Sequence, residues 1–342
     1  MLMIKAAVIG LGRMGLMYDF EDKREKPSSH VLAYKMNDSF RLVAAMDTHP
    51  DKEKDLHLLA PNTSYYTDLI EMLVAHPDLD VISICTPPDD RYQTISEIGR
   101  LSSVQVIFCE KPLAKSVEEA LKIQQFVLNS GLILIPNLSR RWNAGIAEVR
   151  QTIESMRYDR LEKIHLRYTR GIYNTGAHIF DLVRYFAGAI TSVQVINQVN
   201  TSSLSEGEPS YSFVFATSRS VNGFAEAFND ENYYMFELDL YFENGKIEIK
   251  TSGDEIKYYS TGPHPIFQGF KSLQLDKVES SLLSQSNNLE LAIHHIAEII
   301  HTGITSISLV EDGVYPLLVA EALIHSYQNH GSNEKVMVSN YG

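Results

Sequence analysis

Three glycines near the start of the chain carry its most definite chemistry. Val8-Ile9-Gly10-Leu11-Gly12-Arg13-Met14-Gly15 is a G-x-G-x-x-G that follows a β-rich run and is expected to open a helix. Gly10 permits a tight turn, Gly12 lets the backbone approach a pyrophosphate, and Gly15 lets the helix pack close to the strand. The amides of Arg13 and Met14, at the start of the helix, then face the anion. In this strand-to-helix context the motif reads as a dinucleotide cradle, not an ordinary turn. Asp47 ends the second β-rich run, 41–46. A carboxylate there accepts hydrogen bonds from an adenine ribose and repels a 2′-phosphate, so NAD is expected, with NADP left open. The spacing from Gly15 to Asp47 is long because residues 18–30 insert a polar loop. Its Lys23, Arg24 and Lys26 either meet a 2′-phosphate or lie in solvent, and the solvated reading is preferred.

The elements that must position these residues alternate in the first part of the chain. Strand patterns at Ile4–Ile9, 41–46, Val81–Ile84, 104–108 and 132–135 are separated by helical patterns such as 92–101 and 117–129. That alternation calls for a parallel sheet with right-handed crossovers. The second part changes character. After a helical stretch at 144–156 come β-rich runs at 163–169, 192–200, 211–217, 223–229 and Phe236–Phe242. Asn244-Gly245 signals a hairpin into 246–250. Helical patterns at 177–186 and 289–301 interrupt or close this second sheet, and a last one covers 315–328; 201–209 and 251–271 read as loops. The expected fold is an α/β Rossmann domain with a parallel sheet, 1–136, followed by an α+β domain with a mostly antiparallel open sheet, 137–342.

Composition narrows the function classes. The chain has 342 residues, 44% hydrophobic and 21% charged, with two cysteines and a formal charge of −13. No Lys/Arg cluster supplies the basic surface that nucleic acid requires, so no nucleic-acid partner is expected. No apolar run approaches membrane-spanning length, so no membrane partner is expected either. Met1-Leu2-Met3-Ile4-Lys5 does not read as a secretory leader, and a cytoplasmic protein is expected. Cys85 and Cys109, each ending an apolar run, read as buried reduced thiols. His294 and His295 point to different helix faces, and no metal site is expected.

Further segments, with the glycine motif, resemble the Gfo/Idh/MocA family of NAD(P)-dependent oxidoreductases. Ile84-Cys85-Thr86-Pro87-Pro88 resembles the family's strand ending in Thr-Pro beside the cofactor. Cys109-Glu110-Lys111-Pro112-Leu113-Ala114 matches its Glu-Lys-Pro signature, and Gly176-Ala177-His178-Ile179-Phe180-Asp181 resembles its Gly-x-His-x-x-Asp helix. Arg140-Arg141-Trp142 is similar to an Arg-Arg-aromatic segment, and the ending 309–327 to a C-terminal helix. The resemblance implies a cofactor site of Gly10, Gly12, Arg13, Met14, Gly15, Asp47, Thr86, Pro87, Glu110 and Lys111. It further implies that Lys111 polarises a substrate oxygen, that His178 exchanges its proton, and that Asn174, Arg141, Asp181 and Trp142 help place the substrate.

Physically, an ammonium at the carboxyl end of a parallel strand can stabilise a developing oxyanion. A histidine suits proton exchange near neutral pH. Two departures stand out. Asn174 occupies the position where the family commonly has an aspartate, and an amide cannot accept a proton. Asp90-Arg91-Tyr92 occupies the region of a family histidine, with Arg91 read as a helix-surface residue or an anion contact, the surface preferred. The implied function is a dehydrogenase or reductase transferring hydride between nicotinamide and a secondary alcohol or ketone of a sugar, polyol or sugar derivative, including nucleotide sugars. Substrate and cofactor are expected in a cleft between the domains, and a homodimer or homotetramer is expected. An NAD-dependent glycosidase and a non-catalytic dinucleotide sensor remain alternatives.

Overall fold

The computed structural model describes residues 3–199, 208–285 and 287–337. Part of the loop expected at 201–209 lies outside them. The chain forms two compact units, Met1–Trp142 with Asn287–Val314, and Asn143–Ser286 with Tyr315–Gly342. Residues 137–142 and 287–314, beyond the expected boundary at 136, thus pack with the first unit.

The first unit is built on β1 (Ile4–Ile9), β2 (Phe40–Met46), β3 (Ser64–Tyr66), β4 (Val81–Ile84), β5 (Val106–Cys109) and β6 (Ile133–Pro136). They form one sheet in the order β3-β2-β1-β4-β5-β6, with every neighbouring pair parallel. β4 and β5 are buried along their whole length, as central strands covered on both faces must be. Helices α1 (His30–Met36), α2 (Lys52–Leu59), α3 (Leu69–Ala75), α4 (Arg91–Leu101) and α5 (Val117–Ser130) join the strands. β3, a three-residue edge strand, carries too short a pattern to be read from sequence.

The glycine motif does not run straight into a helix as expected. A turn at Gly12–Gly15 is followed by a 3-10 turn, Met17–Phe20, and then a loop to Ser29. The helical hydrogen bonds resume across this insertion. His30 N–H donates to Met14 O at 2.9 Å and Val31 N–H to Gly15 O at 3.1 Å. α1 therefore continues the turn that the glycines begin, with the insertion looped out between them. Ser29 caps α1 by accepting from Leu32 N–H.

The second unit holds a nine-stranded sheet of β7 (Leu161–Tyr168), β8 (Ile190–Val199), β9 (Ser210–Thr217), β10 (Asn222–Ala227), β11 (Phe236–Phe242), β12 (Gly245–Lys250), β13 (Glu255–Pro263), β14 (Lys271–Glu279) and β15 (Glu334–Lys335). Its order is β14-β13-β12-β11-β7-β10-β9-β8-β15, antiparallel except for β7 beside β10. Helices α6 (Ala144–Glu154) and α7 (Gly176–Ala187) contribute Ile146, Val149, Ile179, Phe180, Val183 and Phe186 to its core.

Two sequence expectations change here. Residues 251–271, read as loop from their Ser, Gly and Pro content, contain β13, whose Ile256 and Tyr258 face the core. The β11–β12 turn is Glu243-Asn244, and Gly245 is the first residue of β12. The glycine is required by packing, because a Cβ there would stand 2.4 Å from the Tyr158 ring.

After α8 (Leu282–Gln285), α9 (Asn288–Thr302) was expected to close the second sheet. Instead Leu289, Ala292, Ile293 and Ile296 join the first unit's core with Val31 and Tyr34 of α1. An amphipathic helix shows that it needs an apolar neighbour, not which one. α10 (Val310–Gln328) begins in the first unit and continues in the second. No helix among the described residues is long and apolar enough to cross a membrane.

Candidate active site

At the carboxyl ends of β1, β2 and β4 lies a groove of about 680 Å³, lined by Gly10, Gly12, Asp47, Thr86 and Pro87 among others. This is where a doubly wound sheet binds ligands, beside the point at which strand order reverses. The glycines divide the work as their spacing predicts. Gly10 has φ +89°, and a Cβ on it would lie 2.8 Å from Thr86 N. A Cβ on Gly15 would fall 1.9 Å from Gly10 O, so only glycine lets the first turn close onto β1. A Cβ on Gly12 would meet no atom within 4 Å. The packing of the protein itself has no need of a glycine there.

Asp47 is held at the lip of this groove. Its Oδ2 accepts from Leu11 N–H at 2.7 Å and its Oδ1 from His49 N–H at 3.0 Å. The carboxylate is thereby tied to the glycine loop. Asp51, Asp68 and Asp89 add negative charge to the same wall, with Lys52 among them. Cys85 lines the groove half-buried and Cys109 is buried; burial pushes both thiols above their ordinary range, leaving them poor nucleophiles.

Lys111 follows β5 and is partly exposed, with a cis peptide to Pro112. Its turn is anchored by Arg91, the first residue of α4. The Arg91 guanidinium donates to Glu110 O, to Pro112 O at 2.8 Å, to Thr86 O, and at 3.3 Å to Cys109 Sγ. At 1% exposure it is sealed, which corrects the helix-surface reading. One side chain thus ties the Thr86-Pro87 segment to the Glu110-Lys111-Pro112 segment. Nothing in local sequence marks an arginine at a helix start as buried; the signal is the pair of loops that the parallel sheet brings to one edge.

The Glu110 carboxylate points into the protein, 3.0 Å from His30 Nε2 and 2.6 Å from Asn137 Nδ2. Arg141 and Trp142, expected at the substrate, have buried partners of their own in this unit. Arg141 donates to Asp312 Oδ2 at 2.8 Å and to Ile307 O at 2.6 Å, while Trp142 donates to Asn137 Oδ1 at 3.2 Å. Both are 5% exposed.

In the second unit, Gly171–Thr175 forms a π-helical turn leading into α7. Such turns are rare and recur at functional sites. Asn174 lies half-buried in the turn, His178 follows one turn later, and Asp181 is 1% exposed on the same helix. Sequence reasoning missed Glu208. Its Oε2 accepts from Tyr173 N–H at 3.1 Å and Asn174 N–H at 2.9 Å, placing a carboxylate on the positive end of the helix. Lys111 and Arg141 belong to the first unit; Asn174, His178 and Asp181 belong to the second.

Residues 4–138 match the family described as "Oxidoreductase family, NAD-binding Rossmann fold", GFO_IDH_MocA. Residues 4–138 are a Gfo/Idh/MocA Rossmann domain. Curated relatives of the chain include inositol 2-dehydrogenase of Rhizobium meliloti, 24% identical over 54% of this chain and 55% of that protein. Another is scyllo-inositol 2-dehydrogenase (NAD(+)) of Bacillus subtilis, 22% identical over 95% of this chain and 94% of that protein. The chain spans about half the length or less of several curated relatives it matches, from 39% to 55%. Among solved structures, the WlbA dehydrogenase from Bordetella pertussis, in complex with NADH and UDP-GlcNAcA, superposes with a TM-score of 0.79 at 16% identity. That superposition covers 98% of this chain and 99% of the other. The likeness shows that the fold beyond the Gfo/Idh/MocA domain is shared as well.

Proposed function

We propose that the chain is an NAD-dependent dehydrogenase or reductase acting on a CH–OH or C=O carbon of a sugar, polyol or sugar derivative. The observation that carries the cofactor half is Gly12, whose missing side chain serves no packing purpose and opens onto the groove beside Asp47. The acidic wall around Asp47 favours NAD over a 2′-phosphorylated cofactor by charge repulsion. The substrate half is supported by the relatives, several of which are inositol dehydrogenases.

When bound, NAD supplies the hydride acceptor. In the oxidative direction, the substrate carbon gives up its hydrogen with the bonding electron pair, and its hydroxyl gives up a proton. Lys111 holds the oxygen and stabilises the negative charge it develops. His178 takes the proton, and reduction runs the same transfers backwards. Asn174 contributes a hydrogen-bonding amide and takes no part in proton movement, which leaves His178 as the proton acceptor.

The test is a screen of polyols, sugars and nucleotide sugars with NAD and NADP, followed by nicotinamide absorbance. Lys111→Ala is expected to lower turnover on the order of 100-fold or more while NADH affinity changes little. Turnover retained in that variant sinks the mechanism. NADH binding without turnover of any substrate favours the sensor reading, and bond cleavage with no net change in NADH favours the glycosidase.

A further inference from the structure

The interior of the first unit holds a line of polar side chains to which the proposed reaction assigns no role. His30 is completely buried. Its Nδ1 lies 2.9 Å from Ser83 Oγ, and its Nε2 lies 3.0 Å from Glu110 Oε1. The Tyr34 hydroxyl, one turn along α1, lies 2.9 Å from the same Ser83 Oγ. Glu110 Oε1 takes its second bond from Asn137 Nδ2, and Asn137 Oδ1 accepts from Trp142. The line thus runs from the middle of β4 to the residue immediately before Lys111.

The direction of these bonds follows from the protonation states of its ends. Burial raises the Glu110 carboxyl, but the hydrogen bond and charge of His30, the bond from Asn137 and the charge of Lys111 outweigh it, so it is held below its ordinary range. Cys85, Cys109 and Arg91 complete the titratable surroundings of this carboxylate. An ionised carboxylate only accepts, so His30 Nε2 carries a hydrogen. At the other end, burial pushes the Tyr34 phenol well above its ordinary range, so it keeps its proton. Tyr34 then donates to Ser83 Oγ and His30 Nε2 donates to Glu110, while Ser83 Oγ and His30 Nδ1 share the bond between them. Linked bonds in a low-dielectric interior strengthen one another.

His30 reaches this place because α1 resumes the helix that the glycine motif begins, despite the insertion. The phosphate cradle and the support for Glu110 are consequently two ends of one helical register.

We propose that His30 is a positioning residue: through Glu110 it fixes the turn that presents Lys111. Its consequence for rate rests on the dehydrogenase reading; its consequence for the Lys111 turn does not. The experiment therefore uses two readouts on the full chain with His30→Ala, His30→Gln and Glu110→Gln. Glutamine keeps both a donor toward Glu110 and an acceptor toward Ser83; alanine keeps neither.

The first readout is the rate at which an amine-reactive reagent modifies Lys111, followed by mass spectrometry, with exposed Lys115 as internal control. His30→Ala and Glu110→Gln are expected to change the Lys111 rate about threefold or more with Lys115 unchanged, and His30→Gln to stay near wild type. The second is kinetics on the substrate found by the screen. His30→Ala is expected to lose about 10- to 100-fold in kcat with NADH affinity nearly constant, and His30→Gln to recover most of it.

Lys111 reactivity identical in all four proteins overturns the inference, as does an unchanged kcat. If wild type turns over nothing yet Lys111 reactivity responds as described, the dehydrogenase reading fails and the positioning of the turn stands. Should His30→Ala not fold, the shape-conserving Glu110→Gln carries both readouts.

Discussion

Arg91 in the first unit is sealed from water and bonds to carbonyls of two cofactor-side turns. In the second unit Arg167, Lys246 and Lys250 lie partly exposed across β7 and β12, sharing Glu237, Asp239 and Glu248 between them. Both regions hold arginine and lysine in dense polar company, yet they answer removal differently. A sealed guanidinium that bridges two turns has no neighbour to take over its bonds. A shared lattice has neighbours and solvent to close the gap. The first arrangement suits a site whose geometry must not drift; the second suits a sheet face that has only to stay folded.

The sharpest way to break this contrast is Arg91→Ala. Removing the donor from three carbonyl acceptors, one buried and two part-buried, is expected to cost about 2–4 kcal/mol, read as a lowered urea midpoint, with NADH binding weakened as the Thr86 and Glu110 turns separate. A loss below about 1 kcal/mol would put Arg91 in the same class as the lattice.

The glycine loop sharpens the contrast from inside the first unit. Gly15→Ala forces a Cβ to within 1.9 Å of Gly10 O and is expected to destabilise by about 1–3 kcal/mol. Gly12→Ala meets nothing and is expected to leave the midpoint almost unchanged while NADH affinity falls about tenfold or more. Reversal of that pattern would remove the argument for a ligand at Gly12.

The lattice should give the smallest effects. Glu237→Gln is expected to cost less than about 1 kcal/mol. Its collective contribution appears in acid. Burial raises Asp239 and Glu248, but for Asp239 the hydrogen bond from Arg167 and the charges of Lys250, Arg167 and Lys246 outweigh it, and for Glu248 the bond and charge of Lys246 do. Both therefore sit below their ordinary values of 3.8 and 4.5 in the folded state. Groups depressed in this way stabilise the fold above their unfolded values and lose that contribution as pH falls through the folded ones. Urea midpoints measured from about pH 6 to about pH 3 should fall steadily, and less steeply in Glu248→Gln.

Much of this was legible in the chain because it is local. β1, β2, β4, β5 and β6 announce themselves as apolar-rich runs, and the glycine spacing states its own turn but not the insertion that delays the helix. α7 is legible from Ile179, Leu182 and Phe186 at helical spacing. Asn174 and His178 were located by resemblance to a family pattern, which names positions without supplying their surroundings. What stayed hidden depends on partners far away in sequence. α9 shows an apolar face but not whose core it enters. β13 hides under Ser and Gly because its burial comes from α6 and β12, not from its own composition. Arg91 reads as a solvated helix residue until β4 and β5 bring Thr86 and Glu110 to the same edge.

The sequence by itself determined a parallel sheet, a glycine cradle, Asp47 at the end of β2, and Lys111 at the end of β5. The sheet follows from strand–helix alternation, and the others from spacing within a few residues, where backbone geometry leaves little choice. Only the tertiary structure decided which polar groups are sealed: that Arg91 ties two turns, that Arg141 pairs with Asp312, and that His30 reaches Glu110 across an insertion. Burial is a property of the whole packed unit, and it is burial that turns an ordinary side chain into one that holds a site in place.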